Sequence, residues 1–142
     1  MRKILAAVLA LTPLPAAAAP TAADFLACEA TATLFQNLLD RWEAEGRGSA
    51  EPAKTNVEAL REALSLGAVY LAVGTEITPG APRLDALRQD VVAARERAAD
   101  AVRESLAENG LDATFTALSQ RLRACEETLK TLEAELEAAP PR

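Results

Sequence analysis

Histidine is missing from this chain, and its single methionine is Met1. Haem in a helical protein needs axial His or Met, and covalent haem needs C-x-x-C-H, which does not occur. Carboxylate di-metal bundle sites need Glu-x-x-His pairs. Zinc and copper sites lose their common nitrogen and thioether ligands. General acid–base work by imidazole is excluded too. Gly-rich phosphate loops and the G-x-S-x-G nucleophile turn are also absent. The residue types therefore predict no catalytic residue, no metal and no cofactor, with carboxylates as the remaining candidates. Glu126, Glu127, Glu133, Glu135 and Glu137 gather near the end of the sequence, where they oppose a helix dipole. They do not share one face, as a hydrolytic carboxylate pair must.

Aromatics are scarce, being limited to Phe25, Phe35, Trp42, Tyr70 and Phe115. A core of Leu, Val and Ala suits helix on helix, whereas a sandwich or barrel draws on β-branched and aromatic residues. The remaining pattern is strongly helical. Leu111, Phe115, Leu118, Leu122, Cys125, Leu129, Leu132 and Leu136 follow one another at alternating spacings of four and three, which makes a single apolar seam. Phe25, Cys28, Ala32, Phe35, Leu39 and Trp42 make a second, opened by a Thr21–Asp24 capping box and closed at Gly46 to Ser49. Val57, Leu60, Leu64, Gly67, Leu71 and Gly74 make a third, beginning near Ser49 or Thr55. Leu84, Leu87, Val91, Ala94, Ala98, Val102 and Leu106 make the fourth, which ends at Asn109-Gly110 with Gly110 as a left-handed cap. Residues 75–82 are a Pro/Gly connection. The expected fold is all-α, an up-down-up-down four-helix bundle.

Cysteine is nearly absent as well, and the two present fall on the first and last seams. Cys28 and Cys125 are expected to form a disulfide joining helices 1 and 4, with intermolecular pairing as the alternative. Leu26-Ala27-Cys28 resembles the end of a bacterial lipoprotein box. However, Phe25 stands where Leu is usual, Asp24 is charged, and Cys28 lies well past the apolar run at residues 4–11.

That run follows Arg2 and Lys3 and is followed by Ala16-Ala17-Ala18. It reads as a signal peptide over residues 1–18, leaving residues 19–142 as one domain exported to a periplasm. The run is too short to span a bilayer, which takes about 20 apolar residues. No later stretch is long enough, so no membrane span is expected after signal removal. Losing Arg2 and Lys3 leaves 13 basic against 21 acidic residues, a net charge of −8. An acidic surface argues against nucleic acid as a partner.

Two functions fit this reading. The first is a non-enzymatic exported protein acting by protein–protein contact, as an adaptor, inhibitor or chaperone-like accessory, with an unknown protein partner or a homodimer. Leu66, Val69 and Val73 form an apolar stripe off the seam of the second helix, in a stretch without charge, and are the expected contact surface. The second is a carrier of a small apolar ligand. Gly67 and Gly74 facing Phe35 and Trp42 would leave a cavity inside the bundle.

Overall fold

The computed structural model describes residues 19–74 and 82–138. The expected signal segment and most of the Pro/Gly connection lie outside these residues. The elements are α1 (Ala22–Ala44), α2 (Glu51–Val73) and α3 (Pro82–Ala138), with no strand among the described residues. None of these helices is long and apolar enough to cross a membrane.

α1 begins as its sequence dictates. The Thr21 hydroxyl accepts from the Asp24 N–H at 3.2 Å, and the Asp24 carboxylate accepts from the Thr21 N–H at 2.9 Å. Two of the orphan donors at the helix start are thereby satisfied. α2 begins at Glu51, not at Thr55, with Pro52 in its first turn. Pro lacks the N–H that a first turn leaves unpaired anyway. The Thr55 hydroxyl instead donates to the Glu51 carbonyl one turn back, at 3.1 Å.

The expected four-helix bundle is not supported, because three helices are found. The third and fourth expected helices form one element, α3, with no linking loop between them. Gly110 alone departs from helical backbone, at φ 84° and ψ 176°. The chain nevertheless reverses there. Ser105 Oγ and Thr114 Oγ1 lie 2.7 Å apart, whereas nine residues of unbroken helix would separate them by about 13 Å. α3 is therefore a hairpin, with a leading arm over 82–109 and a trailing arm over 111–138. Gly110 combines positive φ with extended ψ, so it is not the left-handed helical cap the sequence suggests.

The core has two layers. One contains Phe25, Leu26 and Ala30 of α1, Leu64 and Ala68 of α2, and Leu87, Ala94, Cys125 and Leu132 of α3. The other contains Ala32, Phe35, Leu38 and Leu39, then Val57, then Val102, Leu118 and Leu122. The layers are thus supplied by the start of α1 with the end of α2, and by the end of α1 with the start of α2. Adjacent segments must run in opposite directions for that to hold. Cys28 and Cys125 form a disulfide, with Cα atoms 5.6 Å apart. It links α1 to the trailing arm, so the expected crosslink is present.

Gly67 is where two elements come closest. A Cβ built there would stand 2.4 Å from Phe25 Cε1 and 2.6 Å from Cδ1. The missing side chain lets the Phe25 ring lie directly on the α2 backbone, and Phe25 is completely buried. Close approach of this kind offsets the propensity cost of a mid-helix glycine, about 1 kcal/mol.

Candidate functional site

The stripe expected on α2 is not a continuous exposed surface. Leu66 is 71% exposed, but Val73 is buried and Val69 packs against the Phe25 layer. At about 100° per residue, positions 66, 69 and 73 fall within about 60° of one another, so they share a side of α2 that neighbouring segments cover at Val73 and leave open at Leu66. Tyr70, four residues after Leu66, is the neighbour that does share its outward face.

Nor does the structure bring together the four residues expected to line an interior cavity. Gly67 is filled by Phe25 in one core layer. Gly74 lies beyond the last turn of α2, where its N–H donates to the Tyr70 carbonyl at 2.7 Å, and a Cβ built on it would meet no atom of the described residues within 4 Å. Phe35 belongs to the other layer. Trp42 is half-buried beside that layer and touches neither glycine. Phe35 and Trp42 share a different neighbour. The Phe115 ring stands edge-on to both, with centroids 5.1 Å and 5.4 Å away.

That aromatic cluster forms part of an open groove of about 660 Å³. Leu39 and Trp42 come from the end of α1, Ala50 and Ala53 from the start of α2, and Phe115, Thr116 and Ser119 from the trailing arm. Ala50, which caps α2, and Ala53, in its first turn, are small and line the same depression as the bulky rings of Trp42 and Phe115. Arg47, in the α1–α2 turn, stacks its guanidinium over Trp42 at 5.2 Å. It also bonds Asp112 at 2.8 Å and Glu45 at 3.2 Å. Asp112 lines the groove but is neutralised by that pairing. Arg123 lines it too, is exposed, and has no ion-pair partner among the described residues.

A second cluster was not legible from periodicity. Glu29, on α1, is 2% exposed. Its carboxylate accepts from the Arg95 guanidinium of α3, through Nε at 3.3 Å and through Nη2, and from the Thr33 hydroxyl at 3.1 Å. Arg61 of α2 approaches to 3.8 Å. Arg61 also donates to Glu58 at 2.6 Å, and Glu58 accepts from Gln36 of α1. Each guanidinium is held charged beyond its ordinary range, Arg95 chiefly by its bond to Glu29 and Arg61 chiefly by its bond to Glu58. Arg61 Nε is buried without a hydrogen-bond partner. Arg95 lies off the apolar seam of its helix, yet it reaches inward to a buried carboxylate. With both carboxylates taken up by guanidinium groups, the cluster ties three helices together.

Near the groove, α1 and α2 share a further network. Lys54 reaches Asp40 at 2.8 Å and also bonds Glu43, whose carboxylate accepts from the Ala50 N–H at 3.3 Å. The lysine bond, with help from Ala50, holds the Glu43 carboxyl below its ordinary range. Bonds to Asp40 and Glu43 raise the Lys54 ammonium. Among the described residues, no group of three or more His, Cys, Asp or Glu is placed to hold a metal ion.

No protein-family model, no curated protein and no solved structure matches this chain.

Proposed function

We propose that this chain is an exported, non-enzymatic helical protein that acts through protein–protein contact in a periplasm, as an adaptor, inhibitor or chaperone-like accessory. In this reading it works as an up-down-up-down assembly in which the two arms of α3 count as separate helical segments. The observation that carries the reading is the groove whose walls include Trp42 and Phe115. Aromatic side chains lining an open depression supply large contact area at low entropic cost, the composition typical of interface hot spots. The disulfide suits an oxidising compartment.

The test is affinity capture from periplasmic extract by the oxidised protein, comparing wild type with Ser119→Trp, which fills the groove, and Leu66→Glu, which marks the α2 face. Capture should be lost with Ser119→Trp and kept with Leu66→Glu. Loss with Leu66→Glu alone would move the contact to α2. A failure of the wild type to retain any protein would end the contact reading.

A further inference from the structure

We infer that the groove takes a polypeptide segment presenting a bulky apolar side chain beside a carboxylate, an inference that rests on the contact reading above. The apolar half of the statement comes from the walls. Leu39, Ala50 and Ala53 lie beside the rings of Trp42 and Phe115, and a bulky side chain there removes apolar surface of both partners from water.

The acidic half comes from charge. Two ionised side chains line the groove, Asp112 and Arg123. Asp112 is bonded to Arg47, and Arg47 is shared with Glu45, which also bonds Arg41 at 3.0 Å. That group of four carries no net charge. Lys54, beyond Ala53 on α2, is taken up by Asp40 and Glu43. Arg123 is left without a partner among the described residues, in a chain whose formal net charge is −6. A positive side chain in the groove of a net acidic protein favours an acidic partner there and disfavours a basic one. Arg also offers a planar fork of donors suited to a carboxylate.

The shape favours a polypeptide over a small molecule. Pockets for small ligands bury most of the ligand surface, whereas this groove is open along one side between three helical segments. An open trough with a few anchor positions is how grooves receive amphipathic peptide helices.

The experiment uses the full oxidised chain and three probes. Two are synthetic amphipathic peptides with identical Leu and Phe anchors, flanked by Glu in one and Lys in the other. The third is laurate, a small apolar acid. Trp42 is the sole tryptophan, so its emission reports on the groove directly. The Glu peptide should shift that emission saturably, and the Lys peptide should bind about tenfold more weakly or worse. Arg123→Glu, an exposed change checked for retained helicity, should reverse the order. Equal binding of both peptides, or an order that Arg123→Glu leaves intact, overturns the inference while leaving peptide contact at the groove standing. Binding of laurate with neither peptide overturns the choice of a polypeptide. Silence from all three probes overturns the inference outright, and the extract capture then decides separately whether contact at another surface survives.

Discussion

The tightest constraint on any single residue falls on Gly67. Its spacing from Gly74 and its position on an apolar seam are visible in the sequence, and so is the space that a missing side chain opens beside a neighbour. That the neighbour is Phe25, on another helix, is not, because spacing within one helix says nothing about which ring lies across it. Gly67→Ala would drive a methyl group into the ring of Phe25, which is completely buried. Overpacking of this kind costs about 1–3 kcal/mol, against a gain of about 1 kcal/mol from replacing a mid-helix glycine. Urea unfolding should show a net loss of up to about 2 kcal/mol. Adding Phe25→Leu should recover part of it, because the two positions share one space. Glu29 is the opposite case. Nothing in its surroundings in the sequence separates it from the many acidic residues that face water. Its burial follows from α3 delivering Arg95 and α2 delivering Arg61 to one point. Glu29→Gln removes the charge that both guanidinium groups answer. The cost should be about 2–3 kcal/mol, below that of breaking a wholly buried pair because Arg95 is half-exposed.

At the scale of elements, helix starts and stops were largely legible, since capping residues act within a few positions of themselves. The Thr21–Asp24 box and the turn at Gly46 to Ser49 are where local chemistry puts them. What local chemistry does not reveal is that a reversal can take place at one residue. The Asn109-Gly110 pair signals a stop and a tight turn, and α3 passes through the reversal with only Gly110 out of helical geometry. Positive φ with extended ψ is a region open almost exclusively to glycine. Gly110→Ala should therefore destabilise the protein by about 1–3 kcal/mol, although no side chain or backbone crowds the site. Thermal unfolding measures this, and an unchanged midpoint would mean the reversal has another solution. The pairing of α1 with α2 should also set the response to pH. The Glu43 and Glu58 carboxyls lie below their ordinary range, Glu43 through Lys54 and Glu58 through Arg61. A lowered carboxyl contributes stability that is full above its unfolded value and disappears as pH falls through its folded value. Lys54 is raised, so its contribution is full below its unfolded value and disappears as pH rises through its folded one. The urea midpoint should fall below the ordinary carboxyl value of about 4.3 and hold through neutrality up to the lysine range near 10.4. With no histidine in the chain, no imidazole titrates on that plateau. Lys54→Gln should soften the acid limb.

For the whole molecule, the decisive object is the bridge between α1 and the trailing arm. It was legible because both cysteines fall on apolar seams and because reversing helices bring the ends of a bundle together. The outer surface was far less legible. Whether an apolar residue on α2 faces water depends on how neighbouring segments lie over it, which separates Leu66 from Val73 within two turns of one helix. The groove escaped the sequence for the same reason, since its walls come from three distant segments. The bridge spans a sequence separation of 97, so in the chain-entropy model it stabilises the fold by about 4–5 kcal/mol. A small domain has about 5–15 kcal/mol in total, so the Cys28→Ser, Cys125→Ser variant should remain folded but lose a large share of its stability. The loss should not be uniform. Beyond Cys125 the trailing arm buries Leu132, half-buries Leu129 and leaves Leu136 exposed, and its carboxylates oppose the helix dipole. The Trp42–Phe115 contact lies at the other core layer, remote from the bridge. In the serine variant, amide exchange over residues 126–138 should accelerate before that of any other helical segment, while Trp42 emission in the absence of denaturant stays unchanged. Even acceleration across all three helices would instead make the bridge a purely global constraint, and a shifted Trp42 emission would mean that the two core layers do not hold independently.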